Sequence, residues 1–199
     1  MIPYTVDRRA DTGVTNVQMG IWLFLASEVM LFGALFSSYA LIRTAAPAWP
    51  AGRDVLNVPL GVANTVVLFV VSGALFRARG LAGAAWGRML AISSVAAIVF
   101  LAIKGVEYAG EIRAGLRPST SQALAMYYLL TGMHALHVAG GLIANVWALA
   151  GLRGNGAVAK APAAGVPLAL SLGRIRALSL YWLFVDAVWL VFLGVLYLS

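Results

Sequence analysis

Five long apolar runs leave this 199-residue chain little choice of architecture. They fall at 19–42, 58–76, 89–109, 124–149 and 177–198, and each is close to the roughly 20 residues a helix needs to cross about 30 Å of hydrocarbon. With 62% of its residues hydrophobic and 11% charged, a soluble fold of this length could not hide so much apolar surface. Lipid is the natural solvent. The chain therefore reads as an all-α integral membrane protein: one membrane domain over 1–199 with five transmembrane helices.

The connections between the runs carry ordinary helix breakers: Pro47, Pro50 and Gly52, then Gly80 and Gly83, then Gly115 and Pro118. Ser119, Thr120 or Ser121 is placed to cap the fourth span. The stretch 154–173, rich in Gly, Ala and Pro, is expected to be a long surface loop. Residues 1–18 lack the apolar core of a signal peptide, so no cleavage is expected. Bases set the orientation. Arg8, Arg9, Arg77, Arg79, Arg88, Arg153, Lys160, Arg174 and Arg176 fall on the side of the N-terminus, against Arg43, Arg53, Arg113 and Arg117 on the other. That asymmetry puts the N-terminus in the cytoplasm and the C-terminus outside.

Several function classes drop out. The chain has no cysteine, which removes disulfides, thiolate ligands and thiol nucleophiles. Its net charge of +7 is spread singly beside apolar runs, without the clustered bases that would follow a phosphate backbone, so no nucleic acid is expected. No internal repeat argues for an inverted-repeat transporter.

An ionisable group at bilayer depth costs about 3 kcal/mol on insertion scales, so each one needs a partner or a purpose. Six lie within the runs: Glu28, Lys104, Glu107, His134, His137 and Asp186. Lys104 and Glu107 are three apart on one helix face, which suits a structural ion pair near the outer end of the third span, with snorkelling also open to them. A proton or ligand site is the alternative. His134 and His137 share a spacing of three, yet no further donor completes a metal shell, so hydrogen bonding between helices is the expectation and no metal is. At about 1.5 Å per residue, Glu28, His137 and Asp186 lie at similar depth near mid-membrane. Glu28 is expected to face the bundle interior and pair with a histidine of the fourth span, or to bind a lipid headgroup through water. Asp186 stands between Trp182 and Trp189 on one face, and indole N–H groups are donors that could satisfy its carboxylate. Gly61, Thr65, Leu68 and Ser72 form a stripe of small and weakly polar residues in the second span, a packing face.

These residues also make up motifs. Trp22-Leu-Phe-Leu-Ala-Ser-Glu28-Val-Met-Leu-Phe-Gly33 resembles the glutamate-bearing helix of cytochrome c oxidase subunit III. Pro59-Leu-Gly-Val-Ala-Asn64-Thr65, with Ser72-Gly73 after it, is similar to that family's next helix, and Glu107-Tyr108 matches its Glu-Tyr pair. Thr131-Gly-Met-His134-Ala-Leu-His137-Val-Ala-Gly140 resembles its Thr-Gly-x-His-x-x-His-Val segment. Tyr181-Trp-Leu-Phe-Val-Asp186-Ala-Val-Trp189 resembles its final helix. The motifs follow the family's order over nearly the whole chain. Four features depart from it: five spans in place of the seven of longer members, Leu183 where His is usual, Lys104 where many members have Gln, and a loop over 154–173 longer than is usual.

The resemblance implies a non-catalytic subunit of a haem–copper terminal oxidase of the aerobic respiratory chain, in a bacterial cytoplasmic membrane. Its helices would form a V-shaped bundle whose cleft holds phospholipid, packed against a catalytic subunit I that carries the haems and copper, beside a copper-site subunit II. The implied roles are stabilising the catalytic subunit and sustaining proton uptake. Glu28 would be the cleft glutamate. By charge and position, Arg174 or Arg176 could hold a lipid phosphate. The chain itself would bind no haem, copper or other cofactor and have no catalytic residue. Glu28, where quinol-type members tend to carry Asp, leans toward a cytochrome c oxidase. The alternatives are a quinol oxidase, an accessory protein of nitric oxide reductase, and a free-standing transporter using Glu28, Lys104 and Asp186.

Overall fold

The computed structural model describes residues 7–79, 81, 83–154 and 166–198. Every element among them is helical: α1 (Asn16–Ala45), a short α2 (Gly52–Val55), α3 (Val58–Ala78), α4 (Gly83–Arg113), α5 (Gln122–Gly154) and α6 (Val166–Phe192), the last continued by a π-helical turn (Leu193–Tyr197). Five helices are long and apolar enough to cross a membrane. They outrun the apolar runs at most of their ends. A 30-residue helix such as α1 is about 45 Å long at 1.5 Å per residue, so its ends pass beyond the hydrocarbon or the helix tilts.

Local signals explain the helix ends. Thr15 Oγ1 accepts from Gln18 N–H while the Gln18 side chain accepts from Thr15 N–H, both at 3.2 Å, closing a capping box before α1. Asn57 Oδ1 accepts from Leu60 N–H at the start of α3. Of the three residues expected to cap α5, Ser121 does so, accepting from Leu124 N–H at 3.2 Å. At the end of α4, Gly115 adopts φ +82°. Leu116 N–H then reaches Glu111 O at 2.9 Å and Gly115 N–H reaches Ile112 O at 3.1 Å. This is a Schellman closure that glycine makes without strain. The expected loop over 154–173 is shorter than the sequence suggests, because α6 already begins at Val166. Residues 155–165, Lys160 among them, lie outside the described residues.

The helices pack as a ring in which α3, α4, α5 and α6 each meet two neighbours, and α1 lies outside it against α6 and α5. Leu68, Leu75, Leu90, Phe100, Leu130, Trp182 and Trp189 fill the ring. The small-residue stripe of the second span does turn inward, with Gly61, Thr65 and Leu68 buried. Glycine matters most at Gly141, where an added Cβ would lie 2.7 Å from Trp182 Cζ2 and 2.8 Å from Tyr181 Cε1. That approach lets Tyr181 and Trp182 of α6 pack closely on the backbone of α5. Only 11% of the apolar window of α1 is buried, against 33% to 44% in the other four. Phe32 and Phe36 clamp α1 to Phe184 and Phe192 of α6, while nearer its N-terminus clefts open on both of its sides. The V that the resemblance implies needs two arms. Here the ring is one compact body, and an opening of that kind lies between α1 and the α5–α6 pair.

Gly141→Ala should therefore cost about 1–3 kcal/mol through overpacking, seen as a lower thermal midpoint in detergent. Gly33→Ala, where the added Cβ meets nothing within 4 Å, should leave that midpoint unchanged.

Candidate functional site

Two buried polar centres lie within the membrane body. The first joins α1 to α5. Glu28 Oε2 lies 2.7 Å from His137 Nε2, each side chain 13% exposed. The other ring nitrogen, Nδ1, lies 2.8 Å from Met133 O, so that carbonyl and the carboxylate hold the imidazole from both ends. Phe32 packs on the ring at 5.0 Å between centroids, and Tyr181 O–H donates to the carbonyl of His137 at 2.7 Å. Of the two partners the sequence offered Glu28, the protein uses His137. In a low-dielectric setting this contact is a strong, directional tie between two helices with few other polar contacts.

His134 is placed differently. It is fully buried, with Phe100, Trp189 and Phe192 around it at 5.3–5.6 Å between centroids, and neither ring nitrogen has a hydrogen-bond partner. The expectation that it bonds between helices is not met. Three residues is about five-sixths of a helical turn, so His137 turns toward α1 while His134 points into the aromatic interior of the ring. Among the described residues no three His, Asp or Glu side chains converge as metal ligands would.

The second centre is larger than the expected ion pair. Lys104 Nζ donates to Glu107 Oε2 at 3.0 Å, to Tyr127 OH at 2.9 Å and to Tyr197 OH at 2.9 Å, using its three hydrogens. Tyr197 O–H donates to Glu107 Oε1 at 2.7 Å. Tyr127 O–H lies 3.0 Å from both Glu107 Oε1 and Glu111 Oε1 and serves one of them at a time. The ammonium also sits within 4.8–5.7 Å of the ring centroids of Tyr108, Tyr127, Trp189 and Tyr197, so an aromatic cage backs the charge. The Lys104 and Glu107 side chains are 3% and 1% exposed, which leaves no room for the snorkelling that the sequence allowed. The π-helical turn is what delivers Tyr197 to this point. Glu111 and the tyrosines were not anticipated. The available signal was the Glu107–Glu111 spacing of four, which stacks both carboxylates on the face that carries Lys104.

The two tryptophans flanking Asp186 do not bond to it. Trp189 Nε1 donates to Thr65 Oγ1 at 2.9 Å, and Trp182 Nε1 donates to Asn145 Oδ1 at 3.3 Å, whose amide in turn donates to Ser93 Oγ at 2.9 Å. Asp186 therefore does not use the indole partners expected of it, and Ser72 of α3 stands beside its carboxylate instead. The indole N–H groups are taken up by α3 in one case and α5 in the other. Arg174 lies over the Trp147 ring at 4.9 Å and lines a cleft of about 420 Å³ beside Ile21, Phe24 and Tyr181. Arg176 and Arg79 line a second cleft, of about 250 Å³, across α1.

No family model matches the chain. Individual relatives do. It is 30% identical over 199 aligned residues to cytochrome bo(3) ubiquinol oxidase subunit 3 of Pseudomonas aeruginosa, covering 96% of this chain and 88% of that one. It is 33% identical over 184 residues to cytochrome c oxidase subunit 3 of a Synechocystis species, covering 90% and 74%. The chain belongs to the subunit 3 family of haem–copper oxidases. A third relative, the heme-copper oxidase subunit I+III of Aeropyrum pernix, is 32% identical over 194 residues that span 92% of this chain and 23% of the longer one. This subunit 3 is accordingly a multi-pass membrane protein of five helices, with Glu28–His137 and the Lys104 cluster as its buried polar centres.

Lys104→Met should destabilise the protein by roughly 3–5 kcal/mol, the cost of stranding buried charges when a partner is removed. Residual fold after stepwise heating in detergent reads this out. A variant as stable as the parent would show that the Lys104 centre contributes no net stability.

Proposed function

We propose that this chain is the non-catalytic subunit 3 of a terminal oxidase of the cytochrome c type, which oxidises cytochrome c and reduces oxygen in an aerobic respiratory chain. It would sit in the bacterial cytoplasmic membrane with its N-terminus in the cytoplasm and its C-terminus outside, beside a catalytic subunit I and a copper-site subunit II. The haems and copper belong to those partners. The observation that carries this reading is the Glu28–His137 contact: the glutamate of the family-like first helix meets the Thr-Gly-x-His-x-x-His-Val segment inside the membrane. A chain that contributes no catalytic group but ties five helices through buried polar pairs is suited to stabilising a larger neighbour. The Aeropyrum relative carries subunits I and III in one name, which supports adjacency to the catalytic subunit.

The clefts beside α1 suit phospholipid. Apolar walls from Ile21, Phe24, Trp22 and Leu180 would take acyl chains, while Arg174 on one side and Arg176 on the other would meet phosphate at the helix ends. Glu28 lies deeper along the same helix, so lipid on either flank of α1 would fix the face that carries the Glu28–His137 pair. That arrangement supports a role in keeping proton uptake by the catalytic subunit steady over many turnovers. A second reading, subunit 3 of a quinol oxidase, is favoured by the Pseudomonas aeruginosa relative, whose name is that of a ubiquinol oxidase subunit.

Extraction of the tagged chain in mild detergent should bring down reduced-haem absorption, a large many-span partner and oxygen consumption. A copper-site subunit in the same fraction supports the cytochrome c type, and turnover with quinol alone supports the second reading. A colourless chain purifying by itself would overturn both. In the intact complex, Arg174→Ala combined with Arg176→Ala should lower the phospholipid retained per complex, measured by mass spectrometry. Glu28→Ala should shorten the period over which turnover is sustained. Unchanged assembly, lipid content and activity in the Glu28 variant would remove Glu28 from the functional account.

A further inference from the structure

The Lys104 centre is one hydrogen short if both of its carboxyl groups are ionised. Lys104 Nζ spends its three hydrogens on Glu107 Oε2, Tyr127 OH and Tyr197 OH. Tyr197 O–H donates to Glu107 Oε1 at 2.7 Å. Tyr127 has a single hydrogen, yet its oxygen lies 3.0 Å from Glu107 Oε1 and 3.0 Å from Glu111 Oε1. Whichever oxygen it serves, the other faces the phenol oxygen at hydrogen-bond distance, and two acceptors do not hold that distance without a hydrogen between them. The charges fall short in the same way. Lys104, Glu107 and Glu111 are 2%, 4% and 7% exposed, so one ammonium against two carboxylates would leave a buried anion uncompensated.

One added proton removes both shortfalls. We propose that the Lys104 centre is a proton-binding site, in which Glu107 and Glu111 share one proton across Tyr127 and Glu111 holds it at rest. Glu107 is the carboxylate of the pair, because Lys104 donates to its Oε2 and Tyr197 to its Oε1. Glu111 Oε1–H donates to the oxygen of Tyr127, which also accepts from Lys104, and Tyr127 O–H donates to Glu107 Oε1. Each of these contacts then has its hydrogen, and one ammonium meets one carboxylate. The proton can also cross. The O–H bond of Glu111 breaks as a new one forms on Tyr127, whose former O–H bond breaks as one forms on Glu107. Glu111 becomes the carboxylate, Glu107 the acid, and the total charge is unchanged. Facing Glu111 are Lys104, Glu107 and Tyr108 of its own helix, Tyr127 and Tyr128 of α5, and Tyr197 of the π-helical turn; of these six, Lys104 supplies the positive charge. Glu111 stands about one turn nearer the end of α4 than Glu107 and is the more exposed of the two, so it is where the shared proton exchanges with solvent. The inference concerns the chain's own hydrogen bonds and does not depend on the oxidase reading.

Infrared difference spectra of the full chain in detergent at neutral pH test this, read at the carbonyl stretch of a protonated carboxyl, which moves on exchange into deuterium oxide. The parent spectrum minus that of Glu111→Gln should show one such band. Glu107→Gln should remove the same band although Glu111 is still present, because Lys104 then takes Glu111 as its anion. Tyr127→Phe should keep the band and move it to higher frequency, since the acid has lost its acceptor. A parent-minus-Glu111→Gln spectrum without the band overturns the proposal, as does a band left unchanged by Glu107→Gln or by Tyr127→Phe. Glutamine is close in shape to a protonated glutamic acid and equally neutral, so the thermal midpoint of Glu111→Gln should match the parent's. Failure of that variant to fold would show that the centre needs a carboxylate at 111, and so overturns the proposal too. A chain that purifies without haem would sink the oxidase assignment and leave these spectra and their meaning untouched.

Discussion

Hydrocarbon offers no hydrogen-bond partners, and this structure is organised by that shortage. Each backbone N–H and C=O in the membrane has to be served within its own helix, which makes the five spans helical before any side chain is considered. The same rule then acts on side chains. Thr65 receives the indole of Trp189, and Asn145 lies between Ser93 and Trp182. Ser94 and Ser179 return their hydroxyls to carbonyls one turn back. These bonds do more than fill valences. The Trp189–Thr65 and Ser93–Asn145–Trp182 bonds each link particular helices at one depth and exclude neighbouring registers, a specificity that interchangeable apolar contacts supply poorly.

The two polar centres, at Lys104 and at Glu28–His137, extend this logic in different directions. Around Lys104 an ammonium, two carboxylates and two tyrosine hydroxyls draw α4, α5 and the end of α6 together. Four aromatic rings back the cation where water would otherwise stand. Glu28 and His137 make a smaller contact that holds α1, the least buried helix, to the ring, beside the aromatic contacts of Phe32 and Phe36 and the bond from Tyr39 O–H to Val195 O. The first centre reads as structural because it is enclosed by the ring's own helices. The second lies beside clefts flanked by Arg174 and Arg176, where events outside the protein can reach it.

Membership of the subunit 3 family places the chain among proteins named as parts of larger oxidases, and its surface is consistent with such a life. Large apolar residues face outward along every span.

Much of this was legible in the sequence. The number of spans follows from the length and spacing of the apolar runs, and the cap of α5 from the run Ser119-Thr120-Ser121 after Pro118. The Lys104–Glu107 contact follows from a spacing of three on one helix, and the depth match of Glu28 with His137 from counting residues along two spans. What the sequence left open depends on the rotation of each helix about its axis and on which helices are neighbours. Spacing along a chain is blind to both. Rotation sends Trp182 and Trp189 to Asn145 and Thr65 and not to Asp186, and it turns His134 into an aromatic interior while His137 meets Glu28. The π-helical turn at Leu193–Tyr197 swings Tyr197 into the Lys104 centre. Local propensity and periodicity decide that a helix forms and how long it is. Which of its polar groups finds a partner is decided by packing between helices remote in sequence, and there only the tertiary structure gives the answer.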